Sequence, residues 1–213
     1  MSGTLFVVAT PIGNLDDISA RAVRVLGAVA VIAAEDTRHT GTLLRRFGLT
    51  TPSLSFHEHS QKGRAEALIA RLVQGEDVAL VSDAGTPTVS DPGMHLVQLA
   101  HAAGIRVEPI PGPSAVIAAV SAAGFGSGSF AFLGFPPNKG RERERWMQRF
   151  EAAPAVADAV VFYEAPHRIR ATLAELARRF GDLEVLVARE LTKVHEEVMK
   201  TSLLSYDPTN ARG

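Results

Sequence analysis

Cysteine is absent from this chain of 213 residues. Without a thiol the protein can form no disulfide, thiolate nucleophile, iron–sulfur cluster or cysteine-ligated zinc site, and the absence fits a reducing cytoplasm. Neither sign of charge dominates, since 22 Lys and Arg face 23 Asp and Glu, for a net charge of −1. That balance excludes binding to nucleic acid by bulk positive charge, although a local basic patch stays possible.

The sequence also contains no apolar run that predicts a membrane span. Its longest uncharged stretch, residues 109–138, is broken by five prolines and five glycines, and its helix-like part, residues 115–123, is too short to cross a bilayer. Residues 1–13 lack a basic start and predict a strand rather than a signal peptide. We interpret the uncharged stretch as a domain junction, with domains at 1–112 and 113–213.

The first half alternates short apolar runs with segments of helical periodicity, which predicts a mostly parallel sheet covered on both faces. The second half repeats the alternation, so we expect an α/β protein of two α/β domains. Strands are predicted at 5–9, 29–34, 54–56, 78–81, 106–109, 130–134, 159–163 and 184–188, and helices at 16–26, 37–47, 62–73, 95–103, 114–123, 141–150 and 167–180. After the last strand a further helix and strand should follow, but 205–210 is turn-rich, so the second domain is expected to be incomplete.

Polar residues follow three of the predicted strands, at residues 10–14, 34–40 and 82–87. Open α/β sheets bind ligands at the carboxyl ends of their strands, so these turns predict a binding site. Asp83 can accept a hydrogen bond from a ligand or can simply form its own turn. Asp36 or Thr37 can likewise cap a helix. Asp91 and Pro92 are predicted as the cap and first residue of the next helix.

Two common kinds of site are disfavoured by spacing. Neither G-x-G-x-x-G nor G-x-x-x-x-G-K-[ST] occurs, and Gly124, Gly126 and Gly128 follow a helix, which favours a flexible linker. His57, Glu58 and His59 alternate along a predicted strand, and no further ligand follows at metal spacing, so no metal is expected.

A basic segment, residues 139–149, carries five cationic side chains against two carboxylates. It predicts either a solvated helix face or a surface that contacts phosphates. Within it, Trp146 is interpreted as a packing residue, with base stacking as the alternative.

Eight motifs occur in an order that resembles the 16S ribosomal RNA cytidine 2′-O-methyltransferase family of the tetrapyrrole methylase superfamily. They cover about residues 4–200 and are VVATPIGNLDDI (7–18), AAEDTRHT (33–40), SFHEHS (55–60), VALVSDAGTP (78–87), SDPG (90–93), PIPGPSA (109–115), FYEAPHR (162–168) and ARELTK (188–193). The ending LLSYDPTNARG (203–213) does not resemble that family, which again favours a truncated second domain.

The resemblance implies two α/β domains with S-adenosylmethionine (SAM) in the cleft between them, and a cytidine ribose of 16S rRNA in the small ribosomal subunit as the substrate. It further implies a cytoplasmic enzyme and a fold that often forms homodimers. The cofactor contacts that it implies are Ile12, Val81, Ser82, Asp83, Thr86, Ser114, Ala115 and Glu164. The alternatives are a small-molecule methyltransferase of the tetrapyrrole type and a truncated fragment without activity.

A general base or a nearby cation should assist methyl transfer to a ribose hydroxyl, because the hydroxyl is a poor nucleophile at neutral pH; the alternative is that no base acts and the proton is lost to water after transfer. Clustering at strand ends makes Glu35 and Asp36 the first candidates for catalysis, followed by Lys193. The cations expected to bind RNA are Arg38, Lys139, Arg141 and Arg168.

Overall fold

The computed structural model describes residues 1–57 and 61–207, so the Glu58 and His59 of the histidine motif lie outside the described residues. The chain divides into two compact units, Met1–Ser114 and Ala115–Gly213. No helix of the described part is both long and apolar enough to cross a membrane.

The first unit contains a five-stranded sheet whose neighbouring strands are all parallel, which confirms the predicted parallel sheet. Its strands are β1 (Thr4–Val8), β2 (Val31–Ala34), β3 (Ser53–Ser55), β4 (Val78–Val81) and β5 (Arg106–Ile110). They lie in the order β3-β2-β4-β1-β5. Every residue of β2 and β4 is buried.

Four helices cover the two faces of this sheet: α1 (Ala20–Ala28), α2 (Thr37–Arg46), α3 (Gln61–Val73) and α4 (Met94–Ala102). Alternate residues of β2 show the division. Val31 and Ala33 pack with α3 and α4, whereas Ile32 and Ala34 pack with α1 and α2. Because both faces of the strand are buried, its sequence is apolar throughout instead of alternating.

Two predicted helix starts are wrong. The helix predicted from Asp16 begins at Ala20, because Ser19 Oγ accepts a hydrogen bond from the amide of Ala22 and caps it there, while Leu15–Asp17 forms a separate 3₁₀ turn. Asp91 and Pro92 do not begin α4. Gly93, with φ of 123°, directly precedes the helix, and a Cβ at Gly93 would lie 2.6 Å from the side chain of Leu80.

The second unit contains three helices, α5 (Ala115–Ala123), α6 (Gly140–Ala152) and α7 (Ile169–Phe180), and two pairs of strands. The pair β6 (Phe130–Phe132) and β7 (Ala159–Val161) is parallel, and the pair β8 (Glu184–Arg189) and β9 (Glu197–Ser202) is antiparallel. The sequence did not predict β9. Its polar residues alternate with Val198 and Met199 too irregularly to indicate a strand. The segment forms a strand by pairing with β8.

The core of this unit forms between α6 and α7, from Trp146, Met147, Phe150, Leu173 and Leu176. Trp146 is 3% exposed, and its indole Nε1 donates to the carbonyl of Leu133 at 3.0 Å. The interpretation of this residue as a packing residue is therefore confirmed.

Within the glycine-rich segment 124–128, predicted as a flexible linker, residues 126–127 form a turn that is hydrogen-bonded to Asp158. The carboxylate of Asp158 accepts hydrogen bonds from the amide and hydroxyl of Ser127 and from the hydroxyl of Ser129, which hold the pKa of Asp158 below its ordinary value. Gly126 has φ of 52°, and a Cβ there would lie 2.1 Å from the Cβ of Asp158. Glycine is needed for this turn to close.

Candidate active site

The turns that follow β2 and β4 are linked by two hydrogen bonds between backbone and carboxylate. The amide of Asp36 donates to Asp83 Oδ1 at 3.0 Å, and the amide of Asp83 donates to Glu35 Oε2 at 3.2 Å. The strands β2 and β4 are adjacent and parallel, so their carboxyl ends meet at one edge of the sheet. The structure therefore brings together Glu35, Asp36 and Asp83, which the sequence predicted as site residues from separate motifs.

The turn after β1 is fixed to the same edge. Thr10 and Gly85 exchange two backbone hydrogen bonds of 2.8 and 3.0 Å, and Thr10 Oγ1 donates to the carbonyl of Ser82 at 3.3 Å. Gly85 has φ of 82°, and a Cβ there would lie 3.4 Å from Ile12 Cγ2. That distance is an ordinary contact, so it is the positive φ of Gly85 that favours glycine where the turns after β1 and β4 approach each other.

Asp91 is a fourth carboxylate at this edge, and the sequence interpretation missed its role. It is half-buried and lies beside the Ser82 side chain, whose hydroxyl donates to the carbonyl of Ala84 at 3.4 Å. Burial raises the pKa of Asp91 to about 6, and the negative charges of Glu35 and Asp83 add to the rise. The available signal was the motif SDPG (90–93), which follows SDAGTP (82–87) after two residues and was interpreted as a helix start.

The segment between Asp83 and Asp91 has a constrained backbone. Thr88 and Ser90 have φ of 72° and 65°, in the left-handed region that side chains other than glycine rarely occupy. Such residues cost of order 1–3 kcal/mol each and are found mainly at functional sites, where surrounding contacts hold them. After this segment, Asp91 lies beside Ser82 and close to Glu35 and Asp83.

Glu35 and Asp36 differ in their electrostatics although they are adjacent. Burial raises the pKa of Glu35, and the charges of Asp83 and Asp36 act in the same direction, against the hydrogen bond from the Asp83 amide. Asp36 is paired with Arg38 at 2.6 Å and accepts from the amide of Arg38 at 2.8 Å, which caps α2 and lowers the pKa of Asp36 far below its ordinary value. Glu35 is the better proton acceptor, and Asp36 acts as the cap.

The other cofactor contacts implied for this unit are available mainly through their backbone. Val81 and Ser82 are buried, and Ile12, Thr86 and Ser114 are half-buried. Thr86 Oγ1 donates to the carbonyl of Pro113 at 3.2 Å, which fixes the segment that leads to Ser114. A shallow cavity of about 300 Å³ adjoins the edge and is lined by Glu35, Asp36, Thr37, Arg38, Ser55 and His57.

In the second unit, Glu164 and Arg168 bind each other. The Glu164 side chain is 1% exposed, accepts from Thr172 Oγ1 at 2.6 Å and lies 2.9 Å from Arg168 Nε. The Glu164 carboxylate is therefore engaged within the protein. Ala115 begins α5 and is half-buried.

The remaining candidates of this unit are exposed. Lys139 precedes α6, Arg141 lies in its first turn, and Lys193 lies between β8 and β9, 3.2 Å from Glu190. Within residues 1–57 and 61–207, no three His, Asp or Glu side chains form a group suited to a metal ion.

The family model for tetrapyrrole (corrin/porphyrin) methylases matches residues 4–205 of this chain. Proteins named ribosomal RNA small subunit methyltransferase I are also similar to it. That of Pseudomonas aeruginosa is 52% identical over 203 residues, which cover 95% of this chain and 71% of the relative. That of Escherichia coli O157:H7 is 48% identical over 197 residues, covering 92% and 68% respectively.

The chain belongs to the ribosomal RNA small subunit methyltransferase I family of the tetrapyrrole methylases. Solved structures agree on the fold of this family member. The methyltransferase CobJ superposes with a TM-score of 0.72 at 24% identity, covering 98% of this chain and 90% of its own. Diphthine synthase superposes with a TM-score of 0.71 at 16% identity, covering 95% of this chain and 83% of its own. These likenesses establish the tetrapyrrole methylase fold, and the α/β fold class predicted from the sequence is confirmed.

Proposed function

We propose that this protein transfers a methyl group from SAM to the ribose 2′-hydroxyl of a cytidine in the 16S rRNA of the small ribosomal subunit, in the cytoplasm. The observation that carries the proposal is the 52% identity, over 95% of this chain, to a ribosomal RNA small subunit methyltransferase I. The likeness to the methyltransferase CobJ is far lower, at 24% identity, and supports the fold alone.

The residues at the edge of the first sheet fit SAM by their charge. The methionine part of SAM carries a sulfonium and an ammonium cation against one carboxylate, a net positive charge, and three half-buried carboxylates, Glu35, Asp83 and Asp91, lie at this edge. The raised pKa values of Glu35 and Asp91 reflect burial and mutual repulsion, which a bound cation relieves. SAM has no phosphate, so the absence of a phosphate-binding glycine loop is consistent with it.

We assign the backbone of Ile12, Val81, Ser82 and Thr86 to holding the cofactor in the first unit, with Ser114 and Ala115 contributing where the chain leaves that unit. When bound, SAM supplies an electrophilic methyl group that a hydroxyl oxygen can attack.

Glu35 is the residue we assign to receive the proton of the attacking hydroxyl. A base works best when its pKa lies near the working pH, and burial moves the pKa of Glu35 in that direction. The hydrogen bond from the Asp83 amide fixes the direction of the Glu35 carboxylate. Asp36 holds Arg38 at the exposed rim of the site, where its guanidinium can contact an RNA phosphate.

Transfer of tritiated methyl from SAM to small ribosomal subunits that lack the modification tests this assignment. We expect Glu35→Gln to lower kcat by about 10²–10⁴, the usual contribution of a general base. SAM affinity should fall, because glutamine Oε1 still accepts the Asp83 amide but one of the three charges that face the cofactor is lost, so kcat is measured at saturating SAM. Glu66→Gln is the matched control, because Glu66 is an exposed carboxylate on α3.

Two results would count against the proposal in different ways. If the wild-type protein binds SAM but labels no rRNA, the proposed function is wrong. If it labels the cytidine ribose and Glu35→Gln keeps the wild-type kcat, only the role of Glu35 is wrong.

A further inference from the structure

An exposed aromatic side chain stands at the carboxyl end of the parallel pair β6 and β7. Phe135 follows β6 and is 51% exposed. Its ring centroid lies 5.2 Å from that of Tyr163, which follows β7, and Tyr163 in turn lies 5.0 Å from Phe132. The amide of Tyr163 donates to the carbonyl of Gly134 at 3.0 Å. One side of Phe135 is therefore supported by packed aromatics while half of its surface remains open to solvent.

The loop that carries Phe135 is held in place by two arginines. Arg168 donates to the carbonyl of Pro136 and to the side chain of Asn138, and Arg143 Nη1 donates to the carbonyl of Pro137 at 2.8 Å. Each is neutralised on its other side, Arg168 by Glu164 and Arg143 by Glu175, which lies 2.7 Å away. These arginines position the loop, and their charges are already balanced.

Other cations in the same region have no such partner. Lys139 ends the loop, and Arg141 and Arg145 lie one turn apart on α6, all of them exposed. In the part of the chain that the structure describes, none of the three forms an ion pair. The aromatic surface is thus bordered in sequence by positive charges that no described residue of their unit neutralises in an ion pair.

We propose that Phe135 stacks on an unpaired base of the RNA substrate, while Lys139 and Arg141 contact the phosphates beside that base. The proposal rests on the proposed function and adds a recognition surface to it. Proteins recognise single-stranded RNA by stacking splayed bases on aromatic rings and by placing cations along the backbone. A loop already fixed by Arg143 and Arg168 loses little conformational entropy when it binds, which favours affinity.

The surroundings of Phe135 favour RNA over an apolar protein partner. The next residue, Pro136, is buried, and Asn138 and Lys139, which follow, are polar and exposed. Phe135 therefore offers one open ring within a polar and cationic border. That arrangement suits a single flat base attached to a charged backbone.

Fluorescence anisotropy with a labelled single-stranded RNA oligonucleotide tests the proposal, together with KM and kcat for small ribosomal subunits. Loss of stacking on one base corresponds to about 5- to 150-fold in affinity, so we expect Phe135→Ala to raise Kd and KM within that range at little cost to kcat. Phe135→Trp should retain affinity, and Phe135→Leu should resemble the alanine variant. Val156→Ala is the matched control, because Val156 is 82% exposed and precedes β7, at the opposite end of the strand pair.

The phosphate contacts have a separate signature. The slope of log affinity against log salt should decrease by about 1.4 in a Lys139→Gln, Arg141→Gln double variant, at about 0.7 per contact with a single strand, and should not change in Phe135→Ala. SAM affinity, measured by calorimetry, should be the same in all of these variants.

The outcomes separate this inference from the function on which it rests. If wild-type protein methylates the RNA and Phe135→Ala or Phe135→Leu binds it as tightly as wild type, stacking is refuted and the function stands. If Phe135→Ala weakens SAM as much as RNA, the ring belongs to the cofactor site and the proposal is overturned. If the wild type methylates no RNA, both proposals fall.

Discussion

Replacing Asp91 by asparagine should stabilise the protein above neutral pH and leave its stability nearly unchanged in acid. In the folded state the pKa of Asp91 is raised from 3.8 to about 6, chiefly by burial, so the folded protein holds this proton more tightly than the unfolded chain. Asparagine has nearly the same shape and stays neutral at all pH values.

The magnitude follows from the size of the shift. A difference of about two pH units corresponds to about 3 kcal/mol at 1.36 kcal/mol per unit. Asp91 is only half-buried, so solvent screening reduces this to about 1–2 kcal/mol. Because the carboxyl pKa is raised in the folded state, Asp91 lowers the free energy of unfolding as the pH rises. The folded state gains from the bound proton below about pH 4, and this gain is lost as the pH rises from 4 to 6.

Urea denaturation followed by circular dichroism, at pH 5 and at pH 8, measures the effect. We expect the free energy of unfolding of Asp91→Asn to exceed that of wild type by about 1–2 kcal/mol at pH 8 and by clearly less at pH 5. Asp17→Asn, at an exposed carboxylate, is the control for a general change in net charge. An advantage of equal size at both pH values, or a variant less stable than wild type at pH 8, would refute the reasoning.

Two further predictions concern Asp91 and the ion pair of Glu164 with Arg168. Binding of SAM at pH 6 should release protons from Asp91, because a nearby cation favours its ionised form; the calorimetric heat should then vary with the ionisation enthalpy of the buffer in wild type and much less in Asp91→Asn. Glu164→Ala should lower the free energy of unfolding by about 3 kcal/mol, because it leaves the Arg168 guanidinium without its buried partner; denaturation by urea measures the loss, and a change below about 1 kcal/mol would show that Arg168 is solvated instead.

The part of the site that could be predicted from sequence depends on one rule of sheet geometry. Glu35 and Asp83 each follow an apolar run, and in a parallel sheet the carboxyl ends of neighbouring strands share an edge. The local sequence pattern does not reveal the order of the strands in the sheet. Only the structure, which places β2 beside β4, shows that the turns after these two strands are directly linked. Asp91 was missed because an Asp-Pro-Gly sequence is also typical of a helix start, and only the fold shows its carboxyl beside Ser82.

The role of Arg143 was beyond sequence analysis for a different reason. In the sequence it is one of five cations in a basic segment, and nothing local separates it from Arg141 or Arg145. Its partners, Glu175 and Thr172, are 32 and 29 residues away on another helix. The basic segment therefore contains both kinds of residue that the sequence left as alternatives, since Arg143 is structural and its neighbours are exposed.

The two units balance their charges in opposite ways, and this difference supports the division of labour proposed for them. At the edge of the first sheet Arg38 pairs with Asp36, while Glu35, Asp83 and Asp91 form no ion pair with any residue in the described part of the chain. Their negative charge attracts a cation such as the sulfonium of SAM. In the second unit the buried carboxylate of Glu164 pairs with Arg168. Exposed cations on the loop and on α6, Lys139, Arg141 and Arg145, form no ion pair with a described residue and can bind an anion. A methyl donor that is cationic and a substrate that is a polyanion are thus each matched by the uncompensated charge of one unit.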